Sequence, residues 1–136
     1  MIKERYFLTL IILLVSLGVY VLGIRPQQIV KYCDGASKEA LSDVANQAVS
    51  GWLAENKDRR ENYQVTIPEG SDPDTVKFIE GQKKADDEFY DKVASLQITD
   101  PILAYRAKFG EKAYKQLEEE QKINVYYDCL RTRGIK

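Results

Sequence analysis

Hydrophobic positions along the chain form one continuous apolar run near the start and interrupted stripes after it. The run extends from Tyr6 to Ile24 without a charged side chain. As a helix it would be about 28 Å long, close to the ~30 Å hydrocarbon thickness of a bilayer. It has no polar face, and the rest of the chain is too short to enclose it in a core. The pattern predicts that residues 1–25 are an uncleaved signal-anchor that crosses the lipid bilayer once.

Two alternatives compete for this segment. The first is a cleaved secretory signal, because the basic residues Lys3 and Arg5 precede the apolar centre. Such centres usually span only about 7–15 residues, and Val21 makes a poor cleavage site ending at Gly23. The second alternative is a helix buried in a protein core. We favour the membrane anchor over both.

After the run, the pattern changes to helical stripes separated by turn signals. Pro26 predicts a break or bend near Arg25, which makes residues 26–36 a connector. Ser37 then fits as the N-cap of an amphipathic helix. Its apolar positions recur three and four residues apart: Ala40, Leu41, Val44, Ala45, Ala48 and Trp52.

Two Asp-Pro pairs predict the starts of further helices, because the carboxylate caps the helix and proline suits its first position. Asp72 opens a helix whose apolar residues lie mostly on one side: Val76, Ile79, Phe89, Tyr90, Val93 and Leu96. Asp100 opens another region, which Gly110 divides into a short and a longer helix. Tyr63, Val65 and Ile67 alternate with polar residues, and we expect a loop with a short extended piece there. The predicted fold is therefore all-α, with residues 37–136 forming three or four antiparallel helices.

The two cysteines, Cys33 and Cys129, bracket nearly the whole segment after the apolar run. They are too far apart for a redox C-x-x-C motif, and a zinc site would need ligands beyond them. A disulfide or two unrelated buried thiols remain, and we favour the disulfide. Disulfides persist in oxidising compartments, so the helical domain would face the extracytoplasmic side: periplasm, extracellular space or intermembrane space.

Charge and composition exclude several classes of function. Lys and Arg total 20 against 21 for Asp and Glu, without a long block of one sign, so we expect no nucleic-acid partner. Histidine is absent, which removes the commonest general base and the Ser-His and Cys-His dyads. Glycine-rich phosphate loops are absent as well. We therefore predict no enzyme, no cofactor and no metal.

Carboxylates are the only group that could argue otherwise. Asp87 and Asp91 lie four residues apart on one predicted helical face, where they could share a proton or hold a cation. The alternative is a solvated surface on which they pair with lysines: Lys83, Lys84 and Lys92. We favour the solvated surface, with helical pairs Glu80–Lys84 and Glu88–Lys92 beside it.

Aromatic residues are the remaining candidates for function. The chain has nine tyrosines, and tyrosine covers apolar area while its hydroxyl stays in water. Packing at the edge of the core is the default interpretation, and a protein interface is the alternative. The candidate interface residues are Trp52, Tyr105, Phe109, Tyr114, Tyr126 and Tyr127.

These observations favour a membrane-anchored helical protein with a structural or protein-interaction role, as an accessory subunit of a larger membrane complex. The alternative is an envelope-facing module that binds a small ligand or cell-wall polymer in a groove lined by Trp52 and tyrosines. A hydrolase or metal enzyme built on acidic residues is the least favoured hypothesis.

Overall fold

The computed structural model describes residues 2–62 and 66–135, with side chains from residue 9 onward. All regular secondary structure in these residues is helical, which confirms the all-α prediction. The helices are α1 (Ile2–Val19), a π-helical turn (Tyr20–Ile24), α2 (Arg25–Asn62), α3 (Pro73–Thr99), α4 (Pro101–Gln121), a π-helical segment (Lys122–Tyr127) and α5 (Asp128–Thr132). Tyr63 and Val65 of the predicted extended piece lie outside the described residues, and Ile67 is in irregular backbone.

The chain divides into two compact units. Unit 1 joins the chain up to Ala40 with the chain from Glu119, and unit 2 is Leu41–Glu118. Helix α2 supplies residues to both. The predicted boundary between a connector at 26–36 and a domain at 37–136 stays a prediction.

Pro26 does not break the helix, so of the break or bend that the sequence predicts near Arg25, the break is absent. The chain is helical on both sides of it, in the π-helical turn and in α2. Proline lacks an N–H and its ring crowds the carbonyl four residues earlier, here that of Leu22. The preceding turn relieves this conflict, because the Arg25 N–H donates to the Tyr20 carbonyl five residues back. A change of hydrogen-bond register therefore replaces the predicted break.

Ser37 is not an N-cap. It lies inside α2, which begins twelve residues earlier at Arg25, so its backbone is already helical. Instead its hydroxyl donates to the Gln121 carbonyl at 3.4 Å. The capping signal fails because helix-forming residues such as Gln27, Gln28 and Lys31 continue the helix through the predicted connector.

Unit 1 is held together by the two cysteines. The Cys33 and Cys129 Sγ atoms are 2.07 Å apart and the Cα atoms 5.6 Å apart, a disulfide bond. Cys33 is completely buried. The Arg133 guanidinium lies 4.0 Å from the centre of the Tyr32 ring. The disulfide therefore fixes the C-terminal segment against the start of α2.

Unit 2 has a small core drawn from three helices. One cluster contains Val49 of α2, Val93 of α3 and Ala104 of α4. A second cluster contains Leu41, Ala45 and Leu117. The predicted stripe on α2 is wrong at Val44, which is exposed, and it missed Val49, which is fully buried. The buried positions repeat every four residues, whereas Val44, three residues after Leu41, lies at the edge of that face.

Gly110 divides α4 into two arms, 101–109 and 111–121, as the sequence predicts. Its backbone has φ 87° and ψ 165°, which is not helical. Ile102 packs against the same cluster that contains Leu117, although a continuous helix would separate them by about 22 Å. The chain therefore reverses direction at Gly110, and the described residues of unit 2 form four helical segments.

Candidate functional site

Arg60 of α2 joins two carboxylates of α3 in unit 2. Its Nε donates to Asp87 at 3.0 Å, and its Nη1 and Nη2 donate to the two carboxylate oxygens of Asp91 at 2.6 Å and 3.1 Å. The hydrogen bond to Asp91 is the main cause that raises the pKa of Arg60. Since Asp87 and Asp91 are one helical turn apart, a single planar guanidinium reaches both.

These contacts give the two aspartates a partner that the sequence analysis did not name. Both pair with an arginine on another helix. Lys84 contacts Glu88 at 3.9 Å. The guanidinium occupies the position between Asp87 and Asp91 where a cation was the alternative. Among the side chains that the structure describes, no group of three or more cysteine and acidic residues could hold a metal ion. The absence of a metal stays a prediction.

Aromatic rings from two helices pack beside this ion pair. The Trp52 ring centre lies 6.2 Å from that of Phe89 and 5.6 Å from that of Tyr90. The Tyr90 hydroxyl donates to the Leu53 carbonyl at 3.0 Å, and the Arg60 guanidinium lies 4.9 Å from the Tyr90 ring centre. Tyr90 is therefore fixed by its hydroxyl and by contacts to its ring.

Lys108 of α4 completes the aromatic cluster. Its ammonium lies 4.3 Å from the Trp52 ring centre and 5.8 Å from that of Phe89. A cation over the face of an aromatic ring is attracted by the ring's negative face. The cluster thus brings α2, α3 and α4 together on one side of unit 2.

An open cleft of about 490 Å³ borders these residues, and we call it the aromatic cleft. Its lining combines three rings with charged and amide groups: Trp52, Asn56, Arg59, Arg60, Lys83, Asp86, Asp87, Phe89, Tyr90 and Lys108. The volume falls within the range of small-molecule sites, roughly 300–1,000 Å³. Flat rings beside donors and acceptors suit a ligand with one apolar face and several polar groups, such as a sugar ring.

The residues predicted to form an interface are divided between the units. Trp52, Tyr105, Phe109 and Tyr114 belong to unit 2, while Tyr126 and Tyr127 belong to unit 1. Tyr105 packs against both core clusters, and burial is the main cause that raises the pKa of the Tyr114 hydroxyl. Phe109 and Tyr127 are exposed. Their role as an interface stays a prediction.

Arg60 and Lys108 were missed by the sequence analysis. Neither was a candidate there, because the partners of both side chains are distant in sequence. Asp87 and Asp91 lie 27 and 31 positions from Arg60. The available signal was the pair of carboxylates four residues apart, which required a cation but did not identify it.

The chain matches no protein-family model, no curated protein and no solved structure.

Proposed function

We propose that this protein is a single-pass membrane-anchored helical domain with a structural or protein-interaction role. The supporting observation is the exposure of the apolar segment. Described side chains from Thr9 to Ile24 are unburied by protein, with Leu13 66% and Leu22 82% exposed. The helix is long and apolar enough to cross a bilayer. In a bilayer, lipid would cover this apolar surface, whose exposure to water is unfavourable.

The disulfide supports an extracytoplasmic location for the helical domain. Cys33 and Cys129 are bonded, and the structure describes no other cysteine. Disulfides are rare where thioredoxin and glutathione keep thiols reduced. The segment before Tyr6 would then stay on the cytoplasmic or equivalent side.

An interaction role is supported by exposed apolar side chains of unit 2. Ile98, near the end of α3, is 86% exposed, and Leu103, in the first turn of α4, is exposed as well. They flank the connection at Asp100. Large apolar groups beside one turn are suited to burial against another protein, as expected of an accessory subunit of a membrane assembly.

The test extracts the full chain from its native membrane in mild detergent and measures the size of its complex. We expect it to resist alkaline washing and to migrate with at least one other protein. The variant Ile98→Gln with Leu103→Gln should release that protein while the chain stays in the membrane. Phe78→Gln, at the other end of α3, serves as the matched control. A wild-type chain that migrates alone would contradict the interaction role.

The aromatic cleft favours a second candidate, a module that binds a saccharide of the cell envelope. The chain has a single tryptophan, Trp52, in the lining of the cleft, so its fluorescence reports occupancy directly. Titration with N-acetylglucosamine oligomers should change the emission of wild-type protein. Phe89→Ala should abolish the change and Phe78→Ala should preserve it. An unchanged wild-type spectrum would rule out this saccharide class.

A further inference from the structure

We propose that the disulfide-linked end of unit 1 binds anionic phospholipid headgroups of the leaflet from which α2 emerges. The inference rests on the proposed function, in which the segment ending at Ile24 spans the bilayer. We call this surface the headgroup collar and define it by Arg25, Lys31, Tyr32, Arg131 and Arg133. Its ligand is the phosphate of a membrane lipid.

The position of the collar follows from helix geometry. Lys31 and Tyr32 come seven and eight residues after Ile24, which places them about 10–12 Å beyond the hydrocarbon for an upright helix. The headgroup layer itself extends roughly 5–8 Å from the hydrocarbon on each side. The remaining gap is shorter than the Debye length of about 8 Å at physiological salt. The charge of Lys31 is therefore only partly screened from the headgroups.

The C-terminal segment reaches the same level because it runs antiparallel to α2. Gln121 contacts Ser37, Cys129 is bonded to Cys33, and Arg133 contacts Tyr32. Each later residue thus meets an earlier part of α2, closer to Ile24. The chain then turns at Gly134, where φ is 79° and the Ile135 N–H donates to the Leu130 carbonyl at 3.0 Å. Arg133 is consequently held at the level of Tyr32.

At the level of Tyr32, the side chains keep a positive charge after each carboxylate is paired with a basic residue. Asp34 bonds Lys38 at 2.7 Å, and Asp128 bonds Arg131. This leaves Arg25, Lys31 and Arg133 without a paired carboxylate in the described part of unit 1.

The other acidic residues of unit 1 that follow Ile24 in the chain lie farther from the membrane. Glu39 follows Ser37 along α2, and Glu119 and Glu120 precede its partner Gln121. All three are therefore about 20 Å or more from the hydrocarbon. The side of unit 1 that faces the bilayer carries the excess of positive charge.

Tyr32 and Arg133 give the collar a chemical preference for phosphate. Tyr32 is 57% exposed, and tyrosine is common at the boundary between membrane and water. The ring holds the Arg133 guanidinium at 4.0 Å, so its planar set of donors is partly ordered before any ligand binds. A guanidinium matches the oxygens of phosphate in two parallel hydrogen bonds.

The test measures hydrogen exchange of the full chain in nanodiscs of phosphatidylcholine alone and in discs that also contain phosphatidylglycerol. Each basic side chain near an anionic surface contributes about a fivefold preference. We expect amides of residues 128–135 to exchange at least about fivefold more slowly in the anionic discs. Lys31→Gln with Arg133→Gln should remove the difference. Lys112→Gln with Lys115→Gln, which removes two exposed charges from unit 2, should retain it.

Exchange is compared at matched surface pH in the two kinds of disc, so that the general slowing of base-catalysed exchange near an anionic bilayer does not enter the difference. Elution with the discs reports the anchor separately. A chain that elutes apart from both kinds of disc overturns the anchor and the collar together. A chain present in both discs with equal exchange overturns the collar alone, as does a difference that survives in Lys31→Gln with Arg133→Gln.

Discussion

Gly110 has a backbone conformation that other residues adopt only with strain. Its φ of 87° is combined with ψ of 165°, and a Cβ built there would meet no atom within 4 Å. The cost of a side chain is therefore conformational. We expect Gly110→Ala to lower the free energy of unfolding by about 1–3 kcal/mol, measured by urea denaturation in detergent.

Gly81 provides the matched control for that substitution. It lies within α3, and its Cβ position is equally open. Because alanine favours helix over glycine by about 0.5–1 kcal/mol, Gly81→Ala should raise stability. The two glycine-to-alanine substitutions would then change the free energy of unfolding in opposite directions. Equal effects at both positions would show that Gly110 is not a conformational requirement.

Asp72 links the stability of α3 to pH. Its carboxylate accepts hydrogen bonds from the Thr75 hydroxyl at 2.7 Å and from the N–H groups of Thr75 and Asp74 at 2.9 Å and 3.0 Å. The hydroxyl is the main cause that lowers the pKa of Asp72, followed by the Thr75 amide. The ionised form is stabilised in the folded state, so this contribution is present above the ordinary pKa of 3.8 and is lost as pH falls through the lowered value.

Asp72→Asn should therefore reduce the Tm at neutral pH, and the difference from wild type should shrink in acid below pH 3.8. Thermal unfolding followed by circular dichroism at several pH values measures this. Asp58→Asn, at an exposed position of α2, is the control for the loss of one surface carboxylate. A difference for Asp72→Asn that stays constant across the acid range would contradict the assignment.

Local signals of this kind explain which residues the sequence could predict. Asp72 and Gly110 act through their own backbone neighbours, so their roles follow from a few adjacent residues. Ser37 carries the same kind of capping signal and does not act as a cap. The difference is whether the helix has already begun, and that depended on how the chain accommodates Pro26. A capping residue is informative only where the preceding backbone is not helical.

At the scale of elements, Arg60 joins α2 to α3 through three hydrogen bonds to Asp87 and Asp91. Removing the arginine leaves two facing carboxylates that repel, while removing Asp91 leaves Arg60 one partner, Asp87. We expect the effects of Arg60→Gln and Asp91→Asn on unfolding free energy to be non-additive, with the double variant less destabilised than their sum. Urea denaturation of the four proteins of this cycle measures the coupling.

The pair Lys84 and Glu88 is the control for that cycle. Its charged atoms are 3.9 Å apart on one helix, and both side chains are largely exposed. Such pairs contribute roughly 0–0.5 kcal/mol, so Lys84→Gln and Glu88→Gln should be nearly additive. Equal coupling in both cycles would mean that Arg60 contributes only a generic surface ion pair.

Prediction succeeded for features that a single helix determines. It failed for features that depend on how two helices pack against each other. Periodicity and the two Asp-Pro pairs identified the helices, and the glycine at position 110 indicated the division of the last region. Periodicity could not select Val49 over Val44, since both lie near the apolar side and only the neighbouring Val93 and Ala104 decide which is covered. The aromatic cleft could not be predicted for the same reason, because Phe89 lies on α3 and Lys108 lies on α4.

For the whole molecule, the core is too small to be the sole source of stability. The buried apolar residues of the described chain are few and mostly small: Cys33, Leu41, Ala45, Val49, Val93, Ala104 and Leu117. The disulfide has a sequence separation of 96. Closing a loop of that length stabilises by about 4–5 kcal/mol on the chain-entropy model. The disulfide therefore supplies a large part of the stability that the small core does not provide.

Cys33→Ala with Cys129→Ala should lower the free energy of unfolding by up to about 4–5 kcal/mol. Urea denaturation measures this, and non-reducing gels should show the wild-type chain migrating faster than the reduced one. Reduction of wild type should reproduce the loss, which separates the bond from the effect of the substitutions. Two free thiols on the native protein, detected by alkylation, would contradict the disulfide.

The membrane anchor can be tested by comparing two valines that the structure leaves exposed. Val15 lies in the centre of the apolar segment and is 60% exposed, and Val30 lies in α2 beyond Ile24 and is 39% exposed. In water both would tolerate arginine. In a bilayer the central arginine costs about 2.5–3.5 kcal/mol, so Val15→Arg should lower the ratio of inserted to uninserted chain by roughly 70- to 400-fold. Val30→Arg should leave it unchanged, because position 30 lies outside the hydrocarbon. Insertion is measured by resistance to alkaline extraction. Equal extraction of the two variants would contradict the proposal that the apolar segment spans a bilayer.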